Sequence, residues 1–373
     1  MLSLKNIRRA VCLIVVCAVL CAAFISFISC GNQGAVAMTL TYGKNTTTIS
    51  SNIYSYYLSH TKTMALAEFY SMYGGFSPQE IVNMGDFPDY WAMQASETDT
   101  VGDRVKIQAE MILRQFLAIA AYCKEHKLDI SKETKSKIDT SVKELIDSAK
   151  YKRSKNALNS VLIRFDIDDK ILKEIRRLEE LTGVFAKHAL PEGSGRQLSE
   201  EMINFAYDDM CSRVKHILIR YTPGEIDDET QAKVDDLYDR IMNGEDFDSL
   251  LSESADGMPF EGYTVRSDTN FVPEFLNAAL EMAVGEVRKV ESDYGMHIIK
   301  RFELLPAEQA INIGTGESWR TTIGQELQRE LRFMDMMDVL EPYMSAIEIN
   351  TAETDLFDIA SSAIMFDCME IMQ

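Results

Sequence analysis

The chain has 373 residues and carries 58 acidic against 38 basic side chains, so its formal net charge at pH 7 is −20. This balance excludes nucleic-acid binding, which requires a basic face. The length is sufficient for two or three domains, each with its own core. The composition leaves open whether the acidic surface serves solubility or attracts basic, unfolded polypeptides.

The first 29 residues predict a signal peptide of the lipoprotein type. Lys5, Arg8 and Arg9 precede an acid-free apolar run over residues 10–29, and a small-residue junction follows around Cys30. A basic start and an apolar centre are typical of a secretory signal, and the junction resembles the lipobox of bacterial lipoproteins. We expect lipidation of Cys30 and a protein anchored to the extracytoplasmic face of the bacterial cell membrane. The alternative is an uncleaved anchor, because about 20 apolar residues also span a bilayer.

The remaining cysteines do not indicate a disulfide framework. Three of the seven lie in the signal and one is Cys30, which leaves Cys123, Cys211 and Cys368 at unrelated spacings. No metal-ligand spacing is present either, and no cofactor is expected. The exported chain must therefore be stabilised by its hydrophobic cores.

The first half of the mature chain is predicted to be helical. After a tether and a short β segment over residues 30–49, helices are expected at 51–72, 100–126, from 131 and at 168–188. Apolar side chains recur at a period of 3.6 residues, and the longest helix is predicted to bury a face that includes Met111 and Phe116. Residues 50–205 are thus expected to form one helical domain.

The pattern changes after residue 205, where two strands each begin with a histidine. His216 and His297 head aliphatic, largely β-branched runs, although the chain has only five histidines. The elements of residues 206–305 follow the order β-α-α-loop-α-β-β, which predicts a compact α+β domain. Residues 306–373 are expected to form a C-terminal helix over 317–340, a short strand at 347–349 and a tail, and to pack on the helical domain.

Five motifs in this second region resemble the parvulin family of peptidyl-prolyl isomerases. In chain order they are His216-Ile217-Leu218, Asn243-Gly244-Glu245-Asp246-Phe247, Phe271-Val272-Pro273-Glu274-Phe275, Ala283-Val284-Gly285-Glu286-Val287 and Gly295-Met296-His297-Ile298-Ile299-Lys300. Together with the flanking helices and the lipobox, the chain resembles foldase lipoproteins of the PrsA type and their relative SurA. The resemblance implies an α+β fold in which a helical chaperone module flanks a small antiparallel sheet with surrounding helices.

The resemblance also implies a set of site residues. His216, Asp256 and His297 would be the catalytic group, and Phe271, Phe275, Tyr263 and Tyr294 would bind the substrate, with the two phenylalanines forming the proline slot. The stretch Phe260–Asp268 differs from the family, so Tyr263 or Val265 would replace an apolar pocket residue. Each assignment has a structural alternative: the histidines as scaffold, the phenylalanines as ordinary core and Asp256 as a helix-terminal residue.

Rotation about an X-Pro bond needs neither a nucleophile nor a metal, because its barrier of about 18–20 kcal/mol comes from amide resonance. The resemblance therefore implies a membrane-anchored isomerase that acts on unfolded or partly folded exported polypeptides with X-Pro bonds. The first alternative is a weak or inactive parvulin domain in a chaperone that only holds clients. A solute-binding lipoprotein would need a two-lobed α/β sheet, which the helical first half does not favour, and a structural envelope protein would need a repeat or stalk.

Overall fold

The computed structural model describes residues 34–72 and 88–372. The chain divides into two compact units: unit 1 comprises Met1–Ser194 and Met336–Gln373, and unit 2 comprises Gly195–Asp335. The predicted signal peptide and the lipidation site at Cys30 lie outside the described residues. Within the described ranges, no helix has the length and hydropathy that a bilayer-spanning segment needs.

Helices account for most of the regular structure. In chain order they are α1 (Ser51–Met72), α2 (Pro88–Ala92), α3 (Val101–Glu125), α4 (Lys132–Asp147), α5 (Lys155–Leu162), α6 (Asp169–Ala189), α7 (Glu200–Met210), α8 (Asp228–Met242), α9 (Phe247–Leu250), α10 (Pro273–Glu281), α11 (Trp319–Met344) and α12 (Thr351–Thr354). Short 3₁₀ turns occupy Ile163–Phe165, Leu251–Glu253 and Phe366–Ile371.

In the described part of the chain, each unit also contains one small antiparallel sheet. Their strands are β1 (Val36–Tyr42), β2 (Asn45–Ser50), β3 (Ser212–Arg220), β4 (Tyr263–Val265), β5 (Val287–Ser292), β6 (Gly295–Phe302) and β7 (Ile347–Ile349). The sheet orders are β2-β1-β7 and β4-β3-β6-β5. Small antiparallel sheets among many helices confirm the α+β class that the sequence predicted.

Unit 1 is built around α1, whose aromatic side chains fill the core between α3 and α6. Tyr54, Tyr56 and Tyr57 are each at most 2% exposed. The adjoining α3 begins with a capping box, in which the Thr100 hydroxyl accepts from the backbone N–H of Asp103 and the Asp103 carboxylate accepts from that of Thr100. β1 pairs with both β2 and β7, so the sheet joins the two sequence-distant parts of the unit.

Within unit 1, a buried lysine of α1 holds the C-terminal tail. Lys62 of α1 is fully buried, and its ammonium group donates to the backbone oxygens of Ala360 at 2.9 Å and Ser362 at 2.7 Å. The same ammonium lies 5.3 Å from the ring centroid of Trp91. A buried cation needs such partners, because burial without them would cost several kcal/mol.

Unit 2 has a central sheet with helices on both faces. Side chains of β3 alternate, so Val214 packs with α10 on one face while Ile217 and Ile219 pack with α8 and α9 on the other. Burial on both faces explains why β3 is a nearly continuous apolar run. Next to the sheet, α7 and the start of α11 form a further cluster around Trp319, which is 1% exposed.

Several local predictions were wrong. The sequence pattern did not predict α5, α7 or β4, and the residues of β4 were expected in an irregular loop. α5 has only eight residues, while β4 has three and forms through pairing with β3, so neither carries a long periodic signal. Met111 was expected in the core of α3 but is 53% exposed, since Ala109 and Leu113 face inward instead. The compact unit 2, Gly195–Asp335, includes α7 and the first part of α11 in addition to residues 206–305, for which the α+β domain is predicted.

Candidate active site

The two strand histidines meet on one face of the unit 2 sheet. His216 lies on β3 opposite Ile299, and His297 lies on β6 opposite Leu218, so the pair is diagonal across neighbouring strands. Their Nδ1 atoms are 3.1 Å apart, within hydrogen-bond distance. The rings are stacked with centroids 5.3 Å apart, and the residues are 3% and 5% exposed. The sequence motif thus corresponds to a buried, directly bonded pair.

Ser292 extends this pair and was not predicted from the sequence. Its Oγ lies 2.7 Å from Nε2 of His297 and accepts from the backbone N–H of Tyr294 at 3.2 Å. If the serine hydroxyl donates to Nε2 of His297, then the Nδ1–H of His297 donates to Nδ1 of His216. Each ring nitrogen in this series of hydrogen bonds is then either a donor or an acceptor. This arrangement leaves the Nε2–H of His216 outside the chain, as a donor for another group.

The signal for Ser292 was present in the local sequence. Ser292 ends β5 and Gly295 opens β6, with only two residues between them, and the two pair across the hairpin. A side chain at Ser292 is therefore diagonal to His297 on the same sheet face. Gly295 adopts φ +120°, and a Cβ there would lie 2.2 Å from the backbone oxygen of Ile219. The two-residue connection sets the register of the hairpin, and this register places Ser292 beside His297.

Two phenylalanines form the aromatic wall beside the histidines. The ring of Phe275 lies 5.0 Å from that of His216 and 5.3 Å from that of His297, both in edge-on geometry. Phe271 lies 5.0 Å from Phe275 and is partly exposed, whereas Phe275 is buried. α10 begins with Pro273 between them, which fixes the helix start. Phe275 therefore belongs to the hydrophobic core and also forms part of the wall of the site. Phe271 supplies the aromatic surface of the site that solvent can reach.

Asp256 is held at the cleft by a loop attached to β3. The hydroxyl of Ser254 accepts from the backbone N–H of Leu218 at 3.0 Å and from that of Asp256 at 3.3 Å. The N–H of Ala255 also donates to the Leu218 carbonyl at 2.8 Å. These bonds bring the exposed carboxylate of Asp256 to the opening beside the histidines. The position of Asp256 in the sequence does not by itself determine this placement.

The two predicted tyrosines occupy different places. Tyr263, on β4, packs its ring 5.1 Å from Phe271 and 5.9 Å from His216, and its hydroxyl donates to the Gly257 carbonyl at 3.2 Å. Tyr294 stands at the cleft rim and is 55% exposed. Val265 is completely buried in the core. Of the two replacements considered for the divergent loop, it is therefore Tyr263 that contacts the site.

Together these groups enclose a cleft with a cavity volume of about 490 Å³. His216, His297, Asp256, Phe271, Phe275 and Tyr294 line it, and Tyr263 stands behind its aromatic wall. Five further lining residues were not assigned from the sequence: Leu218, Arg220, Asn270, Val272 and Pro273. In the described ranges, no group of three or more His, Cys, Asp or Glu side chains is arranged to hold a metal ion.

Burial keeps both histidines neutral at physiological pH. Burial and, as a smaller effect, the neighbouring His297 lower the pKa of His216 to about 4, while the charge of Asp256 acts in the opposite direction. Burial also lowers the pKa of His297 against the opposing charges of Asp256 and Glu274. The pair therefore offers neutral N–H donors and acceptors beside an apolar wall and one carboxylate.

Comparison with known proteins places the cleft within a recognised domain. Residues 204–304 match the family profile of the PPIC-type PPIase domain. A chaperone SurA from Chromohalobacter salexigens is 35% identical over 94 residues, which is 24% of this chain and 22% of that protein. A foldase protein PrsA from Caldanaerobacter subterraneus subsp. tengcongensis is 31% identical over 123 residues, covering 28% and 34% of the two chains.

The matched region of the chain spans about a fifth to a third of the length of these curated relatives. The crystal structure of PrsA from Bacillus subtilis covers 72% of this chain and 96% of its own, at 18% identity and a TM-score of 0.24. A TM-score this low does not indicate a shared overall arrangement. The family profile and the residues of the cleft agree on one part of the chain. Residues 204–304 are a parvulin-type domain of the PPIC class, in a chain similar to the SurA and PrsA foldases.

Proposed function

We propose that this protein is a peptidyl-prolyl cis-trans isomerase that assists the folding of exported polypeptides. The observation that carries the proposal is the cleft in which the bonded pair of His216 and His297 faces the aromatic wall of Phe271 and Phe275. An apolar wall accepts the proline ring, and the polar groups surround the amide that rotates. The cavity volume lies in the range typical of ligand pockets.

The chemistry follows from what the amide loses when it twists. In the planar amide, nitrogen donates electron density to the carbonyl oxygen, which carries partial negative charge, and rotation removes this resonance. A low-dielectric wall of phenylalanine rings favours the less polar twisted amide. The carboxylate of Asp256 disfavours the planar form if the carbonyl oxygen lies beside it. Each effect stabilises the transition state relative to the bound ground state.

The histidine pair contributes orientation and a neutral donor in this mechanism. With a pKa of about 4, His216 holds no extra proton near pH 7 and transfers none. The contacts from Ser292 through His297 hold the ring of His216, and if the serine hydroxyl is the donor to His297, they leave the Nε2–H of His216 free to point away from the pair. We expect isomerase activity to be flat with pH above about 6 and to fall below about pH 5, when His216 becomes charged.

The direct test is the rate of isomerisation of a short proline peptide. The purified protein should accelerate it, and Phe271→Ala should lower kcat/KM at least tenfold with the fold intact by circular dichroism. Phe333→Ala provides a matched control, because Phe333 is a phenylalanine of unit 2 that is 50% exposed and does not line the cleft. Full activity of Phe271→Ala would refute the assigned proline slot.

A chaperone without isomerase activity gives a different result in the same preparation. It would suppress aggregation of an unfolded client while leaving the peptide rate unchanged. That combination would contradict the isomerase proposal and support a binding function of the chain.

The proposed location is the extracytoplasmic face of the bacterial cell membrane, with a lipid anchor at Cys30. The support is the basic start, the apolar run and the small-residue junction around Cys30. Cys30→Ser should abolish incorporation of labelled palmitate and release the protein from the membrane fraction. Cys21→Ser, a cysteine inside the apolar run, should keep both properties. Equal labelling of the two variants would reject Cys30 as the lipidated residue.

A further inference from the structure

Unit 2 has a second concave surface whose lining residues are distinct from those of the proline cleft. We call it the α7–α11 groove. It lies between α7 and the part of α11 that belongs to unit 2, and it has a cavity volume of about 510 Å³. Its apolar lining consists of Met202, Phe205, Ala206, Met210, Ile323 and Leu327. None of these residues lines the cleft around the histidines.

The groove exists because α7 carries two apolar stripes. One stripe contains Ile203 and Tyr207, which are buried with Trp319 in the core of unit 2. The other contains Met202, Ala206 and Met210 at a spacing of four residues, with Phe205 beside it. Ala206 also packs against that core, whereas Met202, Met210 and the neighbouring Phe205 are not part of it.

Solvent reaches most of this second stripe. Phe205 is 73% exposed, and Met202 and Met210 are each 37% exposed. An exposed aromatic ring between two methionines is typical of a binding surface, since methionine side chains adapt to partners of different shape.

The rim of the groove is entirely acidic. Its charged lining residues are Glu201, Asp209, Glu326 and Glu330, and among the residues that the structure describes no lysine, arginine or histidine lines it. Glu326 is paired with Arg266 at 2.6 Å. The other three carboxylates form no ion pair within the described part of the chain. An apolar lining beside three carboxylates that form no ion pair selects its occupant by charge.

We propose that the α7–α11 groove binds a short segment of unfolded polypeptide whose apolar side chains are flanked by lysine or arginine. The apolar residues contact Phe205 and the methionines, and the basic residues face the carboxylates of the rim. A second copy of this chain is disfavoured, because the protein carries a net charge of −20 and a self-contact would bring two acidic rims together. Anionic lipid is repelled for the same reason. Binding at this surface requires no proline and is independent of isomerase activity.

The test uses the whole protein and a fluorescent peptide of about 15 residues that lacks proline and has a leucine and phenylalanine centre flanked by lysines. Fluorescence anisotropy should show saturable binding that weakens as salt rises. Phe205→Ser should weaken binding at least tenfold. The double variant with Glu201→Gln and Glu330→Gln should weaken it severalfold and reduce its salt dependence. Asp208→Asn is the matched control, since Asp208 is exposed on the same helix but does not line the groove.

Three further measurements distinguish binding in the groove from binding at the proline cleft and from self-association. A peptide with glutamates in place of the lysines should bind at least tenfold more weakly, and equal binding would overturn the charge argument. Phe271→Ala should leave binding of the basic peptide unchanged, and a loss there would move the site to the proline cleft. Sedimentation velocity should give the same species for Phe205→Ser and the unaltered protein. If Phe205→Ser instead dissociates an oligomer, or binds the peptide normally, the proposal is wrong.

Discussion

Acidification should destabilise unit 2 through its histidine pair, and the size of the effect follows from the burial of His216. This residue is 3% exposed and its pKa is lowered to about 4, against about 6.5 in an unfolded chain. Between these two values the unfolded state binds the additional proton and the folded state does not. Stability is therefore complete above about pH 6.5 and decreases as the pH falls towards 4.

The magnitude is large relative to the stability of a typical domain. A difference of about 2.5 pKa units at about 1.4 kcal/mol per unit gives a loss of about 3 kcal/mol by pH 4, of which about 2 kcal/mol is reached at pH 5. Burial also lowers the pKa of His297, which adds an effect of the same sign. Most carboxylates titrate below this window, so pH 5 to 7.5 isolates the histidines.

The assay is urea unfolding followed by the fluorescence of Trp319. The chain has two tryptophans, Trp91 in unit 1 and Trp319 in unit 2, so Trp91→Phe leaves a signal that reports on unit 2 alone. Trp319 is 1% exposed, and its indole N–H donates to the Thr264 carbonyl at 3.3 Å. Its environment should therefore change on unfolding.

The control is His216→Asn in the Trp91→Phe protein. Its free energy of unfolding is compared at each pH with that of the Trp91→Phe protein that keeps both histidines. The unaltered protein should lose about 2 kcal/mol more than the variant between pH 7.5 and pH 5. Parallel loss in both proteins would show that His216 does not protonate preferentially in the unfolded state. An NMR titration midpoint near 6.5 for His216 would refute the reasoning directly.

Three other substitutions test separate parts of the structure. Ser292→Ala should lower the free energy of unfolding by about 1–2 kcal/mol in denaturant and lower kcat/KM, because His297 and a backbone N–H lose their hydrogen-bond partner. Ser292→Thr should preserve the stability and the activity, and equal behaviour of the two variants would contradict the hydrogen bonds assigned to Ser292. Gly285→Ala should destabilise unit 2 by roughly 1 kcal/mol, and Gly295→Ala should destabilise it several times more. Both glycines have positive φ, but only a Cβ at Gly295 would meet backbone atoms, so similar unfolding midpoints of the two variants would contradict this steric argument. Lys62→Met should cost about 1–3 kcal/mol and speed proteolysis of the C-terminal tail, because two carbonyls lose their donor; an unchanged cleavage rate would argue against the anchor.

The candidate site was accessible from the sequence to the extent that its residues lie in recognisable local patterns. His216 and His297 open strand-like runs, and Phe271 and Phe275 flank the proline that begins α10. Such patterns depend on neighbouring residues only, so they identify side chains without a structure. Ser292 was missed because a serine in a polar hairpin is ordinary until the strand register is known, although the short connection from Ser292 to Gly295 indicates that register.

The divergent loop required the structure for a different reason. Tyr263 and Val265 are two residues apart and belong to a strand of only three residues. Pairing with β3 buries Val265 completely and leaves the ring of Tyr263 against Phe271 and His216. A pattern of alternation places both on the same side of the strand, so only the packing around each one separates their roles.

Periodicity and turn residues by themselves determined the helical character of the first half, the order of the longer elements in the second half without α7 and β4, and the two histidine strands. These are local properties, set by side-chain spacing and by the backbone preferences of glycine and proline. Tertiary structure alone decided the 3.1 Å contact between the histidines, the attachment of the Asp256 loop to β3 and the second apolar stripe of α7. Each of these depends on which distant segments pack together, because burial, strand register and hydrogen bonding are set by contacts between residues far apart in the chain.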